Sequence, residues 1–147
     1  MIEVTGNLWT YGPCDVRVIT TNGYVKSNGE AVMGRGCALE AKQRWPELPR
    51  ALGEHLSRLN NIPFMVPDWV GISNLVTFPV KHHWREKADP ELIRTSALIL
   101  SAWADLYDWH VVVMPRPGCG NGGLRWTDVR KVLIHILDDR FHAITWR

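Results

Sequence analysis

Little in this sequence points to a covalent or metallic staple. Its three cysteines, at 14, 37 and 119, lie far apart and form no CxxC pair, which excludes a disulfide framework and a zinc ribbon. No HExxH or HxxxH spacing occurs, and the adjacent His82 and His83 point to opposite sides of an extended segment, so neither a metal nor another cofactor is expected. Apolar runs are short, of the type Val111 to Met114, far below the ~20 residues of a membrane span. Met1-Ile2-Glu3-Val4 begins like a strand and not like a signal peptide. A cytoplasmic monomer with no membrane partner is therefore expected. Neither sign of charge dominates: 17 Lys+Arg against 15 Asp+Glu leave a net +2, which excludes a chain that coats nucleic acid through a broad basic face. Any anionic ligand must be gripped locally.

No repeat, low-complexity tract or Gly/Ser linker interrupts the 147 residues, so residues 1–147 are expected to form one domain. Such a chain buries roughly two thirds of its unfolded surface without a staple. Its segments alternate in type. Strands are expected at Ile2 to Thr5, Asp15 to Thr21, Ile62 to Val66, Ser73 to Val80 with an end at Pro79, His110 to Met114, and Phe141 to Trp146. Cys37, Ala41 and Trp45 fall at helical spacing before Pro46, and Glu47 to Leu59 suits a second helix. Asp89-Pro90-Glu91 supplies an N-cap and a first-turn proline for a helix striped by Leu92, Ile93, Ser96, Ile99, Leu100 and Trp103. Thr127 is placed to cap a last helix bearing Val129, Val132, Leu133, Ile136 and Leu137. Strands alternating with amphipathic helices predict an α/β fold, a three-layer α/β/α sandwich with a mixed, mostly parallel central sheet.

Such sheets bind ligands outside the carboxyl ends of their strands. The segment Pro115-Arg116-Pro117-Gly118-Cys119-Gly120-Asn121-Gly122-Gly123-Leu124 lies there, after a buried strand. Its glycines let backbone N–H groups approach a ligand and form a concave nest suited to phosphate. Gly118-x-Gly120-x-x-Gly123 matches a dinucleotide fingerprint literally, but too little chain follows it, and Asp138 and Asp139 come after a helix instead of closing a strand. No GxxxxGK[ST] occurs. A second loop, Met33-Gly34-Arg35-Gly36, precedes a helix whose N-terminal N–H groups offer another anion site. Together the loops could clamp an elongated diphosphate.

GNLW near the N-terminus, TNG after the second strand, VMGRGCALEAKQRWP, and PRPGCGNGGLRWTDVRKVL together resemble a macrodomain, a fold that binds ADP-ribose. The likeness spans nearly the whole chain, in order and in spacing. It lies with the branch of the terminal ADP-ribose glycohydrolase and the antitoxin macrodomain that removes ADP-ribose from DNA. The resemblance implies that Met33, Gly34, Arg35, Gly36 and Gly118, Cys119, Gly120, Asn121, Gly122, Gly123, Leu124 bind ADP-ribose, with Asn22 near the distal ribose and Asn7 and Leu8 near adenine. Lys81 matches the lysine that this branch directs at the anomeric carbon, and Arg85 and His82 stand near it in sequence. A lysine amine is a nucleophile only when neutral.

Two departures stand out. Most members carry Asp where this chain has Asn7, which accepts a hydrogen bond without charge. The terminal glycohydrolase has an assisting Asp where this chain has Gly122, as the antitoxin branch does. The implied activity is hydrolysis of an ADP-ribosyl linkage on a macromolecule, DNA or protein. Dephosphorylation of ADP-ribose 1''-phosphate is a second reading, and a non-catalytic reader or scavenger of ADP-ribose a third. Of the eight tryptophans, Trp45 and Trp103 fall on apolar helical stripes, whereas Trp9, Trp84 and Trp126 adjoin the proposed ligand loops in sequence.

Overall fold

The computed structural model describes residues 1–146; Arg147, the last residue of the expected 1–147 unit, lies outside the described residues. The strands are β1 (Ile2–Thr5), β2 (Val16–Asn22), β3 (Phe64–Met65), β4 (Leu75–Lys81), β5 (Val112–Pro115) and β6 (Phe141–Thr145), and the helices are α1 (Gly36–Arg44), α2 (Leu48–Leu59), α3 (Pro90–Leu106) and α4 (Trp126–Leu133). One sheet runs in the order β1-β6-β5-β2-β4-β3. Every pairing is parallel except the antiparallel β3 with β4. The expected mixed, mostly parallel α/β sheet is thus present.

Side-chain alternation divides the core into two halves. Val16 and Val18 of β2, Phe78 and Val80 of β4, and Val112 and Met114 of β5 meet Ile93, Ala97 and Leu100 of α3 and Val129 and Leu133 of α4. The intervening Ile19 and Val113 turn the other way, onto Ala38 and Ala41 of α1 and Leu48, Leu52 and Leu56 of α2. A strand whose successive residues point to opposite faces must be apolar throughout when both faces are covered. That is why β5 reads as an unbroken apolar run. The three layers follow directly.

Three boundaries differ from the sequence expectation. β4 continues through Pro79 to Lys81; Pro79 lies beyond the Phe64 and Met65 pairing on that side, and its carbonyl accepts the Ser96 hydroxyl at 2.9 Å. A proline is tolerated in a strand where no ladder donor is required. The strand expected over Ile62 to Val66 contracts to two residues, since Pro63 supplies no N–H. Arg125, not Thr127, is the N-cap of α4, and its side chain makes no cap bond. Asp89 caps α3 as expected, accepting from the Glu91 N–H at 2.9 Å.

Asp15 ties the approach to β5 onto the start of β2. Its carboxylate accepts the N–H groups of His110 at 2.7 Å and Val111 at 2.9 Å, and these backbone bonds, Val111 first, hold its carboxyl below the ordinary range. A depressed folded-state pKa stabilises fully above the unfolded value of about 3.9 and progressively less as pH falls through the folded one. Asp15→Ala is therefore expected to lower the melting temperature at pH 7 and to lower it much less at pH 2.5. Thermal melts at the two pH values check this.

Candidate functional site

The carboxyl ends of β2, β4 and β5 open into a cleft of about 1170 Å³. Three parallel strands end side by side here, so their following loops converge. Thr20, Thr21 and Asn22 contribute from β2, Val80 and Lys81 from β4, and Pro115 and Arg116 from the end of β5. Gly34, Arg35 and Gly36 form one wall and Gly118, Gly120, Asn121 and Gly122 the facing one. Among the sequence candidates, then, the cleft gathers Asn22, Gly34, Arg35, Gly36, Lys81, Gly118, Gly120, Asn121 and Gly122.

The remaining candidates do not line it. Leu8 and Met33 are buried in the α1–α2 half of the core. The Asn7 side chain accepts from the Trp9 N–H at 2.8 Å, closing a local turn. Gly123 and Leu124 close the second loop through N–H bonds to the Gly120 and Gly118 carbonyls. Cys119 turns its thiol to the Pro117 carbonyl at 3.4 Å, and burial pushes that thiol up to about 11. Such a thiol is a poor nucleophile at neutral pH.

Both walls present backbone donors. α1 begins at Gly36 with Arg35 as N-cap, no side-chain cap bond and no acid in its first turn. A cation beside the positive end of an uncapped helix is electrostatically unfavourable until an anion arrives. On the facing wall, the N–H groups of Gly120, Asn121 and Gly122 have no protein acceptor among the described residues. The side chains of Lys81, Arg35 and Arg85 make no ion pair among the described residues either. The cleft is an anion site by backbone dipoles and by charge.

Lys81 is held at the join of the two walls. Its ammonium nitrogen donates to the Asn121 carbonyl at 3.0 Å and reaches the Trp84 carbonyl at 3.5 Å. Its own carbonyl accepts the Gly23 N–H at 3.0 Å and the Asn61 amide at 2.8 Å. His82, on the opposite side of the strand end, bonds Asp89 at 2.8 Å, which holds that carboxyl low. Arg85 stacks over the Trp84 ring, 4.7 Å from its centroid.

Several lining residues were not singled out from the sequence: Thr20, Thr21, Tyr24, Lys26, Glu86 and Arg116. Thr21 Oγ1 and Arg116 Nε are buried with no protein partner. The signal that could have found Thr20, Thr21 and Arg116 is their place at the ends of central parallel strands. Of the three tryptophans adjoining the loops in sequence, Trp84 alone lines the cleft. Trp9 packs beneath Arg44 and donates to Glu40, and Trp126 lies beneath Arg116 and donates to Glu3.

Gly122 cannot carry a side chain in this loop. A Cβ there would lie 2.7 Å from both the carbonyl carbon and the Cα of Gly118 and closer still to the Gly118 oxygen, while the Gly122 carbonyl is fixed by the Ala88 N–H at 2.9 Å. Gly122→Ala is expected to destabilise by roughly 1–3 kcal/mol, the range for overpacking a tight site. Urea denaturation measures it.

No family model matches the sequence. The DNA ADP-ribosyl glycohydrolase of Mycobacterium tuberculosis is 32% identical over 131 residues, 85% of this chain and 37% of that protein. The chain thus spans little more than a third of that curated relative. The solved macrodomain of M. tuberculosis DarG superposes with a TM-score of 0.79 at 29% identity, covering 99% of this chain and 97% of that one. Thermosipho africanus DarTG, solved in complex with ADP-ribose, shares the fold with a TM-score of 0.69 at 18% identity, over 91% of this chain and 38% of that one. With a shared sheet order, converging glycine loops and a relative matched along most of its length, the chain belongs to the macrodomain family, and within it to the branch of the DarG macrodomains.

Proposed function

We propose that this macrodomain binds ADP-ribose and hydrolyses an ADP-ribosyl linkage on DNA. The observation that carries the reading is the placement of the Lys81 amine at the join of two unpaired backbone-donor loops. The loops hold the diphosphate, Arg35 adds charge, and the orphaned Thr21 hydroxyl and Arg116 Nε suit ligand hydroxyl or phosphate oxygens. Donors fixed before the substrate arrives need no reorganisation during reaction. A neutral amine has two N–H bonds and one lone pair. With both N–H bonds directed at the Asn121 and Trp84 carbonyls, the lone pair is left for the cleft.

That lone pair attacks the anomeric carbon of the distal ribose as the bond from that carbon to the DNA breaks. The proton shed by the amine passes to the departing group. Water then replaces the amine, giving free ADP-ribose and regenerating the lysine. The DNA assignment is supported by the name of the M. tuberculosis relative. Calorimetry with ADP-ribose, followed by turnover assays on ADP-ribosylated DNA, ADP-ribosylated protein and ADP-ribose 1''-phosphate, tests the reading. One ADP-ribose per chain and turnover of the DNA substrate are expected; undetectable ADP-ribose binding overturns it. Turnover of the 1''-phosphate alone replaces it with a phosphatase.

A further inference from the structure

Beyond Lys81 the cleft is rimmed by aromatic rings that the proposed hydrolysis does not use. Tyr24 and His83 have ring centroids 4.5 Å apart at an edge-on 61°, and His83 and Trp84 lie 5.6 Å apart at 26°. The Arg85 guanidinium covers the Trp84 ring at 4.7 Å. Tyr24 and Trp84 remain 39% and 43% exposed. Tyr24, Trp84 and Arg85 all border the cleft, together with Lys26. Buried packing does not account for such a row, because neither exposed ring belongs to either core cluster.

We infer that this rim is a stacking platform for the nucleotide next to the ADP-ribosylated one, so that the substrate is single-stranded DNA. This rests on the proposed hydrolysis of a DNA linkage. The loops take up the diphosphate end, and Lys81 reaches both Asn121 and the Trp84 carbonyl. Whatever hangs beyond the scissile bond therefore runs past Trp84 and Arg85. Interleaved rings and cations at that exit match the chemistry of unpaired bases on a phosphate backbone: the rings and the guanidinium plane stack bases, and Lys26 and Arg85 meet phosphates. In a duplex the base faces are already stacked and offer nothing to the platform. An acidic peptide would use the cations and leave the rings idle.

The test compares affinity for an ADP-ribosylated mononucleoside with that for an ADP-ribosylated single-stranded five-mer, each by competition against labelled ADP-ribose. The five-mer is expected to bind roughly tenfold or more tightly, the scale of one stacked base. Trp84→Ala and Arg85→Ala should each shrink that ratio toward one, with circular dichroism confirming the fold. Unmodified single-stranded DNA should show weak binding to the wild type by fluorescence anisotropy. Equal affinity for mononucleoside and five-mer, an equal gain from a duplex or an ADP-ribosylated acidic peptide, or a ratio untouched by both variants overturns the platform. These ratios are read from binding alone. A protein that prefers the five-mer but never turns it over keeps the platform and loses the hydrolase; the converse result loses only the platform.

Discussion

Replacing Lys81 by alanine is expected to slow turnover of ADP-ribosylated DNA on the order of 10³-fold, within the range for a side chain acting directly on the reacting bond. At 1.36 kcal/mol per tenfold this amounts to about 4 kcal/mol of transition-state stabilisation. ADP-ribose affinity should change far less, because the diphosphate donors belong to the backbone of Gly36 and of Gly120, Asn121 and Gly122, none of which depends on the lysine side chain. The loss should therefore fall on kcat and not on KM. Lys81→Arg sharpens the result. A guanidinium keeps the charge and can still reach the Asn121 carbonyl, but it offers no nucleophilic lone pair. An arginine variant as slow as the alanine variant supports bond formation by the amine. If the arginine variant recovers most of the rate, the lysine serves by charge, and if the alanine variant turns over normally, the lysine mechanism is wrong.

The lysine was legible before the structure because FPVKHHW ends an apolar β-branched run, and a strand end in an α/β sheet faces the ligand crevice. The glycine loops were legible for the same reason. What the sequence concealed was the third dimension of local signals. Trp9, Trp84 and Trp126 each adjoin a glycine loop in sequence, yet Trp9 folds back onto Trp45 and α1, and Trp126 turns toward Glu3 on the edge strand β1. Proximity along the chain gives no direction for a side chain; strand register and helix face do. Asn22 illustrates a subtler limit. Its amide donates to the Val32 carbonyl at 3.1 Å and its oxygen accepts from the Tyr24 N–H at 3.0 Å. The residue lines the cleft, but it also staples the two loops that build it.

Boundaries failed where tertiary partners override local preference. Pro79 would end a strand standing alone, but inside the sheet it borders an edge that asks nothing of its missing N–H. Asn61 drew no attention as part of a turn. In the fold it holds the Lys81 carbonyl, and its amide packs where a Cβ on Gly23 would sit, 2.7 Å away. Only the pairing of β2 with β4, which sets Asn22 opposite Lys81 across a register shift, brings these residues together.

Gly120→Val is expected to weaken ADP-ribose binding at least about 100-fold, roughly 2.8 kcal/mol, while leaving stability within about 0.5 kcal/mol. A Cβ on Gly120 meets nothing within 4 Å, and the residue does not carry positive φ. The glycine is therefore not required by the protein's own packing. It lines the cleft beside the unpaired N–H groups of Asn121 and Gly122, where a branched side chain would cover the donors and hold a phosphate away from them. Two residues on, Gly122 has the opposite reason to be glycine: its Cβ would strike the Gly118 backbone, so Gly122→Ala should cost stability before it costs affinity. Measuring both variants by calorimetry and by urea denaturation separates the two causes. If Gly120→Val binds ADP-ribose as the wild type does, the diphosphate does not lie against this loop, and the site must be sought elsewhere in the cleft.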